Sequence, residues 1–170
     1  MDKIDDIVSE LKQKDYHRFD TFYNLTKKQV YFSIITIIKD SQLTEDLLQE
    51  TYMKFLEKID NYETGRNVSA YLVSIGRNLA INIYNKRKKE VYSEEIFETI
   101  PAEEIAEDDQ EIFKILDILS SDEKEIVVMH VINDLKFREI ADIIHKPIGT
   151  VLWVYNKAIK KLKEKVGDVI

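Results

Sequence analysis

The stretch Lys136-Phe137-Arg138-Glu139-Ile140-Ala141-Asp142-Ile143-Ile144-His145-Lys146-Pro147-Ile148-Gly149-Thr150-Val151 carries the most local information in the chain. It reads as a short helix from Phe137 to Ile144, a tight turn at His145-Lys146-Pro147, and a longer helix opening near Ile148-Gly149-Thr150. Ala141 is small where two helices must cross closely, and Ile140 and Ile144 face the core. That is the plan of a helix-turn-helix, whose second helix enters the major groove of DNA. On the wheel of the second helix Val151, Tyr155, Ala158, Ile159 and Leu162 turn inward, and Leu152 turns toward the core side. Trp153, Lys157, Lys160 and Glu164 turn outward, with Asn156 and Lys161 at the edges and Val154 on the flank. A plain helical hairpin with a solvated lysine face has the same pattern, so these residues alone leave both readings open.

Working outward, Ser120 and Glu123 form a capping box for a preceding helix, and Ile112, Ile115, Leu116 and Leu119 keep helical spacing before it. Val91 to Glu111 is highly charged, contains Pro101 and holds no period, which predicts a flexible linker. Upstream, Ile4, Ile7, Val8 and Leu11 predict a helix near residues 3–14, and Phe19 to Lys39 a second. Val30 to Ile35 suits a strand by propensity, but no turn signal or partner strand lies nearby, so helix is preferred. Thr44 is the candidate cap of a third helix, buried through Leu47, Leu48, Tyr52, Phe55, Leu56 and Ile59. Asn61 to Asn67, with Gly65, is a loop, and Ser69 to Lys89 is a long helix. With only 4 Gly and 2 Pro in 170 residues, the expectation is all-α: two small helical domains, 1–90 and 112–170, joined by the acidic linker 91–111.

The net charge of −7 argues against a nucleic-acid binder until its distribution is read. Residues 1–90 carry +1, residues 91–111 carry −9 with no base at all, and residues 112–170 carry +1. Bases close each flank: Lys86-Arg87-Lys88-Lys89 in the first, and Lys157, Lys160, Lys161, Lys163 and Lys165 in the second. With no Cys, disulfides and thiolate metal sites are excluded. His17, His130 and His145 are scattered, no glycine loop cradles phosphate and no carboxylates pair at catalytic spacing, so an enzyme is not expected. The N-terminus lacks a signal-peptide plan and no apolar run spans a bilayer, so the expectation is a cytoplasmic protein without direct membrane insertion.

Thr44-Glu45-Asp46-Leu47-Leu48-Gln49-Glu50-Thr51-Tyr52-Met53-Lys54 resembles the polymerase-binding stretch of sigma-70 family proteins. Ser69-Ala70-Tyr71-Leu72-Val73-Ser74-Ile75-Gly76-Arg77-Asn78 resembles the stretch that follows it there, and Asn85-Lys86-Arg87-Lys88 fits its basic end. Leu116, Leu119, Glu139-Ile140-Ala141 and Gly149-Thr150-Val151 then fall in the order of the family's minus-35-binding domain. The two-domain form, with the acidic linker in place of a third region, resembles the extracytoplasmic-function (ECF) subgroup. Tyr71 stands where the family usually has Trp, Gly76 where it has Ala, and Leu152-Trp153-Val154 where it has basic and small polar residues.

The resemblance implies a sigma factor that binds core RNA polymerase and promoter DNA, needs no cofactor or metal, and is held by an anti-sigma factor. It implies that Asp46, Gln49, Glu50 and Met53, at helical spacing on one face, dock on the polymerase clamp. It places Tyr62, Arg66, Asn67, Arg77, Asn78, Asn82, Arg87 and Lys88 on the minus-10 element, with Tyr62 as a stacking face for a flipped base. It places Thr150, Trp153, Asn156, Lys157, Lys160 and Lys161 on the minus-35 duplex. Two other readings fit parts of the sequence. A polymerase-independent helix-turn-helix regulator leaves the N-terminal pattern idle, and a sigma-derived protein-interaction module is motivated by Leu152-Trp153-Val154.

Overall fold

A computed structural model describes residues 3–90 and 107–167, in which helices are joined by short turns and loops with no strand among them. In chain order the helices are α1 (Lys3–Lys12), α2 (Phe19–Ile38), α3 (Ser41–Glu57), α4 (Val68–Glu90), α5 (Glu107–Leu116), α6 (Ser121–Val127), α7 (Phe137–Ile144) and α8 (Ile148–Gly167). A 3-10 turn at Ile59–Asn61 follows α3, and a π turn at Val128–Ile132 follows α6.

Helices α1 to α4 close around one core in which Ile7, Leu11, Phe22, Ile34, Phe55 and Leu72 are fully buried. Each such side chain contributes about 1.5–3 kcal/mol of burial. Polar groups inside are paired. The Thr26 hydroxyl bonds the Phe22 carbonyl at 2.8 Å and the Tyr52 hydroxyl at 2.5 Å, and the Thr51 hydroxyl donates to Leu47 at 2.7 Å. Burial pushes the Tyr52 hydroxyl well above the ordinary tyrosine range. The third helix starts earlier than expected. Asp40, not Thr44, is its cap, accepting from the Leu43 amide at 3.0 Å, while the Thr44 hydroxyl returns to the Asp40 carbonyl at 2.7 Å. Asp wins because its side chain reaches the free amides of the first turn from an extended backbone.

Ser120 caps α6 with a reciprocal box to Glu123, as its sequence predicts. Helices α7 and α8 form the helix-turn-helix, closed by His145 in the left-handed region at φ 56. Most of the expected linker, 91–106, lies outside the described residues, but Glu107 to Glu111 are already the first turns of α5. Leu152 is exposed rather than turned to the core, because Val151 and Ala158 set the buried edge of α8.

The two helical groups pack on each other. Phe32 of α2 joins Leu116, Leu119, Val127, Val128 and Ala158 in one apolar cluster, with its ring stacked on Phe113 at 5.5 Å and 8°. Val73 and Ala70 of α4 join the cluster of Ile126, Met129, Leu135, Ile140 and Val151. The Asn133 amide donates to the Ser33 hydroxyl at 2.5 Å across the same boundary.

Candidate nucleic-acid interface

The inward positions of α3 are Leu47, Leu48, Thr51, Tyr52 and Phe55, which leaves the opposite face to solvent. Asp46, Gln49 and Glu50 are all exposed there, and Met53 is 63% exposed. An apolar thioether this open, ringed by two carboxylates and an amide, is suited to a basic, hydrogen-bonding partner surface.

Tyr62 departs from its expected role as a stacking platform. It is only 3% exposed, its ring lies against Tyr71 at 5.3 Å and Phe55 at 6.3 Å, and its hydroxyl donates to the Arg66 carbonyl. Burial, with the nearby Asp5 charge, pushes that hydroxyl up to about 12. The Lys12 ammonium donates to the Tyr62 carbonyl and lies 5.8 Å from the ring centre. Tyr62 is therefore the internal brace of the loop. What the loop offers outward is Arg66, exposed and paired with Glu63 at 2.6 Å, on a turn that Gly65 makes at φ 95. Asn67 is partly occupied as well: its side-chain oxygen accepts from the Ala70 amide at 3.2 Å at the start of α4, and its amide donates to Glu139 at 3.3 Å.

On α4, Asn78, Asn82, Arg87 and Lys88 are exposed, with Arg87 3.7 Å from Asp40. Arg77 is not free. Its guanidinium bonds both carboxylate oxygens of Glu125 and reaches the Ile143 carbonyl at 3.4 Å, and the Arg77 and Glu125 side chains are 13% and 16% exposed. The phosphate contact expected of Arg77 is incompatible with this arrangement, since its donors already serve the C-terminal helices.

On α8, Thr150, Asn156 and Lys160 are exposed, and Trp153 is 64% exposed with the Lys157 ammonium 5.2 Å from its ring. Lys161 is turned back into the protein, bonding Glu123 at 2.9 and 3.0 Å. Glu123 is itself buried, so Lys161 neutralises an interior carboxylate and is withdrawn from the phosphate role read from the sequence. The outward surface of α8 is thus Thr150, Trp153, Asn156 and Lys160, with Lys157 half-exposed between the Trp153 ring and Glu123, 3.9 Å away, and Ile148 and Leu152 adding apolar area. Sequence reasoning missed Ser33, Glu125, Asn133 and Glu139, which hold the two helical groups together. No local pattern marks such pairs, whose members lie 48 to 100 positions apart.

Among the described residues no helix is long and apolar enough to cross a membrane. Comparison with known proteins gives a consistent picture. Residues 22–90 match the family model for sigma-70 region 2, and residues 109–151 match that for sigma-70 region 4. The chain is 22% identical to the ECF RNA polymerase sigma factor SigW of Bacillus subtilis, covering 95% of this chain and 96% of that protein. It is 28% identical to the ECF sigma factor EcfG of Rhodopseudomonas palustris over 75% of this chain and 74% of that one. Among solved structures, the sigma factor RpoE from Bartonella quintana, in complex with the anti-sigma factor NepR, superposes with a TM-score of 0.74. Identity there is 28%, with 88% of this chain and 96% of that chain covered. CnrH, in complex with the cytosolic domain of CnrY, shares the fold with a TM-score of 0.70 at 15% identity over 98% and 99% of the two chains.

Proposed function

The chain belongs to the sigma-70 family, in its ECF group, and from that premise we propose how its surfaces divide the work of starting transcription. As a sigma factor it is a promoter-recognition subunit that binds core RNA polymerase and DNA. The N-terminal unit, 1–90, engages the polymerase through Asp46, Gln49, Glu50 and Met53. Its loop and basic helix then contact the minus-10 element through Arg66, Asn78, Asn82, Arg87 and Lys88, joined by Asn67 and Arg77 once their present partners let go. The C-terminal unit, 112–170, lays α8 against the minus-35 duplex with Thr150, Trp153, Asn156, Lys157 and Lys160. These roles fit a cytoplasmic protein with no chemistry of its own. The observation that carries the reading is the coincidence, on one chain, of the exposed α3 stripe with a helix-turn-helix whose second helix presents lysines outward.

The test is run-off transcription with purified core polymerase. Adding the protein should produce promoter-specific transcripts, and the double variant Asp46→Lys/Glu50→Lys should abolish both transcription and copurification with core. Far-ultraviolet circular dichroism should be unchanged, because both side chains face solvent. Normal copurification of the double variant would remove the α3 stripe from the polymerase contact.

Trp153 supports a second partner on the same face. The solved relatives RpoE and CnrH are complexes with NepR and with the cytosolic domain of CnrY, and an anti-sigma factor here would find Ile148, Leu152 and Trp153 exposed together on α8. If Trp153→Ala leaves promoter use intact but abolishes inhibitor binding, the face serves the inhibitor and not the minus-35 duplex.

A further inference from the structure

We propose that this chain selects its minus-35 element through thymine methyl groups, read by Ile148, Leu152 and Trp153, and not through hydrogen bonds to guanine. The inference rests on the sigma-factor reading and names the bases that reading leaves open.

The first observation is what the reading helix lacks. From Ile148 to Gly167, α8 contains no Arg and no Gln. The C-terminal unit holds one arginine, Arg138, which is exposed on α7, the helix of the pair that crosses the DNA backbone. Guanine is recognised in the major groove through its N7 and O6 acceptors, by Arg above all and otherwise by Lys. The lysines of α8 are placed elsewhere. Lys161 is bonded to the buried Glu123, and the Lys157 ammonium lies 5.2 Å from the Trp153 ring centre and 3.9 Å from Glu123. Lys160 is exposed, but it sits about three turns beyond Ile148. A recognition helix touches base edges with its N-terminal residues, so Lys160 meets phosphate.

The second observation is what the N-terminal turns present instead. Ile148, Leu152 and Trp153 are all exposed, because Val151 and Ala158 form the buried edge of α8. An apolar cluster open to water marks a surface that something covers. The major-groove edges of the four base pairs offer one apolar group, the C5 methyl of thymine. Gly149 leaves the way to it clear. A Cβ there would meet nothing within 4 Å, so packing does not require the glycine, and bare backbone beside Ile148 and Trp153 lets the first turn approach the groove closely. Asn156 follows Leu152 by one turn and Trp153 by three residues, and its amide matches N6 and N7 of adenine. The element that fits is a run of A·T pairs, with thymine methyls turned to the apolar face and an adenine opposite Asn156.

Holoenzyme made from core polymerase and this chain should enrich thymine-rich, guanine-poor minus-35 elements from templates randomised upstream of a fixed transcribed segment. Resynthesising an enriched template with deoxyuridine for thymine in that element alone deletes the methyls and keeps every hydrogen-bonding edge. Run-off transcription at limiting protein should then fall about three- to fivefold for each methyl contacted, the factor for exposing one buried methyl group. Cytosine at such a position should also weaken transcription, and 5-methylcytosine should restore part of the loss. Trp153→Ala should transcribe severalfold less from the thymine template and show a smaller drop on deoxyuridine substitution. Its side chain is exposed, so circular dichroism should not change. Equal wild-type transcription from the thymine and deoxyuridine templates overturns the proposal, as does a guanine-rich enriched element. Undiminished sensitivity to deoxyuridine in Trp153→Ala also overturns it, and gives the apolar face to a protein partner. A wild-type chain that enriches no template and yields no transcripts with core polymerase overturns instead the sigma-factor reading.

Discussion

Gly76 shows how a single residue can be legible as a departure and illegible in its cause. It stands in the interior of α4, where glycine sacrifices about 1 kcal/mol of helix propensity relative to alanine. The structure supplies the reason: a Cβ there would sit 3.2 Å from Ile34 Cδ1, Ile34 Cγ1 and Thr51 Oγ1 at once. Ile34 is fully buried and the Thr51 hydroxyl is fixed by Leu47, so neither neighbour yields freely. Overpacking costs about 1–3 kcal/mol, which exceeds the propensity gain. Gly76→Ala should therefore lower the melting temperature by a few degrees, whereas an alanine at an exposed helical position should not. Tyr62 makes the same point for the site. Its sequence neighbourhood, a loop of Asn, Gly and Arg, suits a stacking face, but the ring is claimed by Phe55 and Tyr71 from elements before and after it. Only tertiary contacts decide which aromatic of a loop is inside.

At the scale of elements the helical period was enough for α1, α4, α6, α7 and α8, because each packs on one side and leaves the other polar. α2 was ambiguous for a physical reason. From Val30 to Thr36 its side chains are buried nearly all round, since α4 covers one face and the C-terminal helices cover the other. A helix enclosed on both sides has no polar stripe and so resembles a strand by composition. The ends of elements depend on side-chain charge as well as period, and Glu123 is the case to test. Burial pushes its carboxyl up, but hydrogen bonds from Lys161 and the Ser120 amide, with the Lys157 charge nearby, outweigh this and hold it below the ordinary carboxylate value. A depressed carboxyl gives stability that is fully present above the unfolded value near pH 4.3 and is lost as pH falls through the lower folded value. Glu123→Gln keeps the shape of the capping box and removes the charge. At pH 7 it should be less stable by about 1 kcal/mol, discounted for the solvent reaching Lys161. By pH 3 the gap between the two proteins should have narrowed markedly, and thermal melts across that range read it directly. A constant gap would mean the capping bond alone, and not the Lys161 pair, is what Glu123 contributes.

At the scale of the whole molecule, charge is the property the sequence makes plainest, and it governs how the chain meets DNA without polymerase. Residues 91–111 carry −9 while the parts on either side carry +1 each. The exposed bases on α4 and α8, among them Arg87, Lys88 and Lys160, are therefore presented to DNA beside a strongly anionic segment tethered to both. Nonspecific binding arises from counterion release by bases on phosphates, with log K falling by about 0.9 per phosphate contact for each tenfold rise in salt. A tethered anion competes for the same bases and adds repulsion of its own, screened over about 10 Å at 0.1 M salt. The isolated chain should thus bind duplex DNA weakly. Replacing the acidic residues of 91–106, Glu94, Glu95, Glu98, Glu103 and Glu104, with Gln should strengthen nonspecific binding by at least tenfold at low salt, with little difference left near 1 M. Fluorescence anisotropy of a random-sequence duplex titrated at several salt concentrations measures both the affinity and its slope. Lys160→Ala in the same background should weaken binding to all sequences alike and flatten the slope, since a lysine on phosphate reads charge and not bases. If the neutralised chain binds no better than the original, the acidic segment does not shield these bases, and weak binding must instead follow from the closed packing of the two halves.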